Sequence, residues 1–165
     1  MQIGYTLAKT SLGPVLVAAT ERGISAVYLG DEEKDLIERL RQEYRLAQIE
    51  RDNAANQRWV HEIVRRVEGD APSLELPLDV QATAFQRRVW QELQKIPRGK
   101  TRSYTQVARA LGKPNAVRAV ARACATNPVA IVVPCHRVVG ANGQLTGYRW
   151  GLPRKQKLLE HESRA

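Results

Sequence analysis

Residues 103–126 read SYTQVARALGKPNAVRAVARACAT, and this stretch decides the architecture of the second half of the chain. Ser103 precedes Val107, Ala108 and Leu111, which recur at helical spacing, so it is the expected N-cap of a short helix. Gly112-Lys113-Pro114-Asn115 is a sharp turn. Asn115 is the expected cap of a second helix over residues 116–126, which Asn127-Pro128 ends. Two short helices joined by a Gly/Pro turn predict a helix-turn-helix. Asn115, Arg118 and Arg122 then share one face of the second helix. The alanines around them let that helix lie close against another surface. A competing reading packs the alanines in a core and leaves the two arginines in water. Alanines cannot read base edges, so contact with DNA is expected to be sequence-independent and salt-sensitive.

Outward from this stretch, Phe85, Val89, Trp90 and Leu93 predict a preceding helix that stops at Ile96-Pro97. The first half reads differently. Short apolar or alternating runs at Tyr5 to Lys9, Pro14 to Ala19 and Gly23 to Leu29 predict a small antiparallel meander. Asp31 is the expected cap of a helix carrying Leu36, Ile37, Leu40 and Tyr44. A second helix fits Asn53 to Glu68, with Trp59, Val60, Ile63, Val64 and Val67 as its apolar stripe. Residues 69–73, GDAPS, have linker chemistry, and Leu74 to Val80 is one more strand or an extended connector. The expectation is therefore a mixed α/β (α+β) chain of two domains. Residues 1–78 form a small scaffold of antiparallel sheet plus helices, and residues 79–165 form a mainly helical domain with the helix-turn-helix.

Charge divides at the same place. Residues 1–83 hold 10 Lys/Arg against 14 Asp/Glu, whereas residues 84–165 hold 16 against 3. A solvated basic surface is the bland explanation. Such segregation fits better a polyanion-binding half joined to a neutral or acidic scaffold half. The aliphatic runs are too short to cross a membrane, and residues 1–8 lack the build of a signal peptide, so a cytoplasmic protein is expected.

In a reducing cytosol Cys124 and Cys135 are expected as free thiols rather than a disulfide. Cys124, flanked by alanines on a helix, reads as a small buried hydrophobe. Cys135 follows the run Val129-Ala130-Ile131-Val132-Val133, expected as a buried strand or extended segment, and precedes His136 and Arg137. Cationic neighbours favour the thiolate, which is the nucleophile.

Pro134-Cys135-His136-Arg137-Val138, with Asn127-Pro128 before it and Gly147-Tyr148-Arg149-Trp150-Gly151 after it, resembles the O6-alkylguanine-DNA alkyltransferase family. The likeness is greatest to the C-terminal repair domain of the bacterial adaptive-response type. The resemblance implies direct-reversal repair: O6-alkylguanine, with O4-alkylthymine left open, is flipped out of duplex DNA, and its alkyl group passes irreversibly to Cys135. It implies that His136, through a water, takes the thiol proton, and that Glu162 orients the imidazole and raises its basicity. Asn127 supports the active-site turn, Arg118 fills the vacated base stack, and Tyr104 crowds the target's 3′ phosphate. Asn115 and Arg122 are expected beside Arg118 at the DNA. Tyr148, Arg149 and the backbone of Val138 and Val139 border the guanine pocket. Binding is expected in the minor groove of double-stranded DNA, by a monomer, with cooperative binding left open.

A soft thiolate suits displacement at an alkyl carbon, and a tyrosine hydroxyl suits the leaving guanine oxygen. The product is a thioether with no carbonyl for water to attack, so each molecule acts once. Neither cofactor nor metal is expected. Some relatives hold a structural zinc in the first half, but residues 1–60 contain no Cys or His. The zinc-binding sensor domain of some bacterial relatives is not in this sequence, so no transcriptional role is expected. Arg149 stands where some relatives have a small hydroxyl residue, which changes the pocket rim. Two rival readings are a binding-only alkyltransferase-like module and a helix-turn-helix regulator with an incidental thiol. The presence of Cys135 argues against the first, and alkyl transfer to Cys135 separates both from the enzyme.

Overall fold

The computed structural model describes residues 1–54, 56–72 and 74–164. Ala55, inside the expected second helix, and Ser73, inside the expected linker, lie outside the described residues. The chain forms two compact units. One comprises Met1–Val80 with Pro128–Ala130, and the other comprises Gln81–Asn127 with Ile131–Ala165.

The first unit is built on β1 (Gln2–Thr10), β2 (Gly13–Thr20) and β3 (Gly23–Leu29), an antiparallel meander whose apolar alternation is legible residue by residue. It continues with α1 (Glu33–Glu43), β4 (Gln48–Arg51) and α2 (Gln57–Val67). The sheet order is β3-β2-β1-β4, and β4 pairs parallel to β1, so the sheet is mixed rather than purely antiparallel. Both helices are shorter than their patterns predict. Glu32 rather than Asp31 occupies the N-cap of α1, and no side chain caps α1 or α2. Leu36 and Leu40 of α1 and Val60, Ile63 and Val67 of α2 are buried as helix and sheet pack together.

Every residue of β3 is buried although β3 ends the sheet. Its open edge is covered by extended backbone, since the N–H groups of Ile24 and Val27 donate to the carbonyls of Pro77 (2.8 Å) and Pro128 (2.9 Å). The Leu74–Val80 segment is thus a connector with one bridge, Ile24 to Leu78, not a full strand. A Cβ on Gly23 would lie 2.8 Å from the Pro77 backbone, which is why glycine stands there.

In the second unit, α3 (Ala84–Leu93) begins at a reciprocal cap between Thr83 and Gln86. A two-residue parallel pair, β5 (Arg102–Ser103) with β6 (Val138–Val139), flanks the helix-turn-helix. Its helices are α4 (Tyr104–Ala110) and α5 (Val117–Ala125). Ser103 caps α4 as expected, with Gln106 completing the reciprocal pair. Asn115 does not cap α5. Ala116 takes that place without a side-chain bond, and Asn115 stays exposed in the turn. Gly112, at φ +72°, provides the left-handed step that the turn needs. Arg88 of α3 holds the turn through the Leu111 carbonyl (2.9 Å), and the Trp90 indole holds α5 through the Ala123 carbonyl (3.0 Å). The chain ends with α6 (Leu152–Ser163). Among the described residues, no helix is long and apolar enough to cross a membrane.

Candidate active site around Cys135

Val129–Val133 is apolar enough to read as a strand, yet only Val129 makes a bridge. Ile131 sits at φ +73°, a costly conformation for a β-branched residue, and the backbone turns there instead of extending. The turn delivers Cys135 to the first position of a one-turn 3₁₀ helix, Cys135–Arg137.

All of the site's polar anchors belong to the second unit. Asn127, buried, donates its side-chain amide to the Val133 carbonyl (2.9 Å) and to Cys135 Sγ (3.1 Å). Its own carbonyl accepts from Arg149 (3.1 Å), whose guanidinium lies 4.6 Å over the Trp150 ring. His136 Nε2 bonds Glu162 Oε1, and Arg137 grips the same carboxylate at 2.6 and 2.8 Å while donating to the Ile96 carbonyl (2.8 Å). Glu162 lies in the last turn of α6 and is 4% exposed, so it is no frayed terminal residue.

The charges in this cluster run against the sequence expectation. Burial pushes the Cys135 thiol well up, as does the Cys124 thiol, while Asn127 and the Lys155 cation oppose that push only in part. Burial likewise lowers His136 below its usual value; Glu162 pulls it up, and Arg137 and Lys155 push it down again. The resting pair is therefore a neutral thiol and a neutral imidazole, not a thiolate and an imidazolium. Glu162, which burial alone would raise, is held at about 2 by His136 and Arg137. An ionised carboxylate only accepts, so Nε2 carries the imidazole hydrogen and Nδ1 presents its lone pair. That Nδ1 is buried and finds no partner among the described residues.

Tyr148 stands just before α6, and its hydroxyl is also enclosed without a partner among the described residues. Burial pushes its ionisation upward, so it remains a donor at any physiological pH. Tyr104, the first residue of α4, is half-buried, and burial pushes its hydroxyl's ionisation upward while Thr146 opposes. Val138 and Val139 are buried core side chains, so only their backbone can serve a pocket. Arg118 and Arg122 are exposed on α5, one helical turn apart, and Asn115 is exposed in the turn. A groove of about 450 Å³ lined by Arg102, Ser103, Gln106 and Arg109 opens beside α4 and does not reach Cys135.

Two contributors escaped the sequence reading. Arg137, taken there as a neighbour of the thiol, is engaged by Glu162. Lys155 is fully buried, donates to the Gly147 carbonyl (2.8 Å) and lies 5.9 Å from the Tyr104 ring. The signal for it was present, because Lys155 shares the buried stripe of α6 with Leu158 and Glu162. Among the described residues, no group of three or more His, Cys, Asp or Glu is placed to hold a metal.

Both halves of the chain match known proteins. Residues 3–80 match the family described as 6-O-methylguanine DNA methyltransferase, ribonuclease-like domain, and residues 84–164 match its DNA binding domain. The chain is 48% identical over 163 residues to the bifunctional transcriptional activator/DNA repair enzyme Ada of Escherichia coli, covering 99% of this chain and 46% of that protein. It is 37% identical over 162 residues to a methylated-DNA–protein-cysteine methyltransferase of Methanosarcina acetivorans, covering 96% and 97% of the two. A Mycobacterium tuberculosis OGT solved in complex with DNA superposes with a TM-score of 0.82 at 33% identity, over 99% of this chain and 94% of that one. The chain spans about half the length of the first curated relatives it matches.

Proposed function

The chain belongs to the 6-O-methylguanine DNA methyltransferase family, and from that premise we propose that it repairs O6-alkylguanine in double-stranded DNA by moving the alkyl group onto Cys135. The observation that carries this reading is the enclosed Cys135 Sγ, held by Asn127, in a cluster where the His136–Glu162 pair keeps a bare Nδ1.

The reaction begins from the neutral pair. The thiol proton passes to His136 Nδ1 through a bridging water, and Glu162, hydrogen-bonded at Nε2, stabilises the imidazolium as it forms. The Asn127 amide and the Lys155 charge stabilise the thiolate sulfur at the same moment. Sulfur attacks the alkyl carbon in line, the S–C bond forms, the C–O6 bond breaks, and the electron pair leaves on guanine. Tyr148, kept protonated by burial, donates a hydrogen bond to the developing O6 charge. A proton returned to guanine N1 balances the one taken from the thiol. The thioether has no leaving group that water can displace, so each molecule acts once.

In this reading residues 79–165 are the DNA-binding and alkyl-acceptor domain and residues 1–78 its scaffold. α5 enters the minor groove with Arg118 in the vacated stack and Arg122 and Asn115 at its flanks, while Tyr104 crowds the 3′ phosphate. Arg149 orders the rim through Trp150 and Asn127. The protein acts as a cytoplasmic monomer. Incubation with a duplex carrying O6-methylguanine, followed by intact mass and peptide mapping, tests the reading. One methyl must replace one hydrogen, on Cys135; an unchanged mass leaves the helix-turn-helix regulator.

A further inference from the structure

Arg149 stands where some relatives have a small hydroxyl residue, and no step of the proposed reaction uses its side chain. Its neighbours are Tyr148, which donates to the leaving guanine oxygen in that reaction, and the buried Trp150. The Gly151 N–H donates to the Tyr148 carbonyl (3.0 Å), closing a tight turn that α6 pins on both sides. Lys155 donates to the Gly147 carbonyl (2.8 Å) and Arg154 to the Trp150 carbonyl (3.1 Å). The half-buried Arg149 side chain lies 4.6 Å over the Trp150 ring and donates through Nη1 to the Asn127 carbonyl (3.1 Å). That carbonyl needs an outside donor. It lies just past the end of α5, where carbonyls have no partner in their own helix, and Pro128 bars the helix from continuing to supply one. A cation there also suits the negative end of the helix dipole. The amide of Asn127 is committed to the acceptor segment, holding the Val133 carbonyl (2.9 Å) and Cys135 Sγ (3.1 Å). All of these residues belong to the second unit.

We propose that Arg149 is a positioning residue for alkyl transfer: by bridging the Tyr148 turn to Asn127, it fixes the separation between the attacking sulfur and the hydroxyl that meets the leaving oxygen. In-line displacement puts sulfur, alkyl carbon and guanine oxygen on one axis. The sulfur is held from one end of that axis by the Asn127 amide, and the oxygen is met at the other by Tyr148. Freedom between those two supports spreads the approach over unproductive geometries and slows the reaction. Arg149 closes that freedom without taking a chemical step, acting through the Asn127 backbone. A guanidinium suits the task, because its flat face stacks on Trp150 while its edge donates to the carbonyl, and it stays charged at any working pH. A serine in its place has neither the stacking face nor the cation.

The inference rests on the alkyltransferase reading, and the two fail separately. Wild-type protein that takes no methyl group sinks the reading itself, whereas the outcomes below concern Arg149 alone. Single-turnover transfer is followed for the full chain with a duplex carrying O6-methylguanine and with the free O6-methylguanine base. In Arg149→Ala and Arg149→Ser the rate constant at saturating duplex should fall about tenfold, and the rate with the free base should fall by the same factor. The half-saturating duplex concentration should stay within about twofold of wild type. Arg149→Lys, which keeps a cationic donor but loses the stack, should recover part of the rate. Because Arg149 acts through Asn127, adding Arg149→Ser to Asn127→Ser should slow transfer by less than about twofold further. Where Asn127→Ser does not fold, the two substrates and the lysine variant still decide. An unchanged rate in Arg149→Ser overturns the proposal. So does a loss confined to the half-saturating concentration, as a contact with a DNA phosphate would give, or losses that multiply in the double variant.

Discussion

At the scale of single residues, the proposed reaction starts from neutral groups that become charged together. Cys135→Ser should abolish transfer, because a hydroxyl is a far poorer nucleophile, while binding to undamaged duplex stays nearly unchanged. Transfer to the serine, or to Cys124, would refute the assignment. Glu162→Gln removes the group that pulls His136 upward. The wild-type rate should be flat between about pH 7 and 9, since the raised thiol does not ionise unaided in that range. The variant should fall roughly tenfold or more across this plateau, with its acid limb displaced to lower pH. A deficit that vanishes near pH 9, or an unmoved acid limb, would show that Glu162 does not act through the imidazole. Stability should follow acid pH with the same sign for both partners. His136 is lowered in the fold, so its contribution is present above its unfolded pKa of about 6.5 and declines as pH falls below that. Glu162, held at about 2, contributes on the order of 3 kcal/mol that is lost as pH falls from about 4.3 toward 2. Denaturant midpoints measured from pH 7 to 3 should decline through both windows, and His136→Gln should remove the upper one. The sequence placed Cys135 beside His136 but gave the wrong electrostatics, because adjacency in the chain says nothing of how deeply a pair is buried.

At the scale of elements, what was legible follows from which signals are local. Ser103 before a helical stripe names its own cap, and β1 to β3 announce themselves by alternation between turns. β4, Gln48–Arg51, is mostly exposed and polar, and only its pairing with β1 makes it a strand, so no pattern along the chain could reveal it. The run before Cys135 failed in the opposite sense. Its composition is that of a strand, but the left-handed Ile131 breaks it, and no local signal marks a β-branched residue for that conformation. α5 carries the element-scale prediction. Arg118 projects from its exposed side, ahead of a body anchored through Trp90. Arg118→Ala should slow repair in duplex DNA at least about tenfold, the equivalent of ~1.4 kcal/mol of lost support for the extrahelical base. Reaction with free O6-alkylguanine base, which needs no flipping, should change little. Equal losses on the two substrates, measured by single-turnover kinetics, would return Arg118 to a structural role.

At the scale of the molecule, the charge division seen in the sequence gains a physical reading. Residues 84–165 carry 16 Lys/Arg and 3 Asp/Glu, and all three acids have basic partners within that segment. Glu92 is shared by Lys95 and Arg102, Glu162 by His136 and Arg137, and Glu160 meets Lys157. The cations of this segment outnumber its acids by 13, and six of them, Arg87, Arg88, Arg109, Lys113, Arg118 and Arg122, stand on α3 and the helix-turn-helix. Arg118 and Arg122 stand on an alanine-rich helix that offers base edges little else. Affinity for undamaged duplex should therefore come from phosphate neutralisation, each contact adding about −0.9 to the slope of log K against log salt concentration. Fluorescence anisotropy with mixed-sequence duplexes, between about 50 and 200 mM salt, should show a steep slope of several units and nearly equal affinities across sequences. Replacing Arg122 by alanine should reduce that slope by about one and weaken all sequences alike, because a phosphate contact carries no base information. A shallow slope, or a preference for particular bases that Arg122→Ala abolishes, would mean that α5 reads base edges and that the minor-groove, sequence-blind docking proposed for it is wrong.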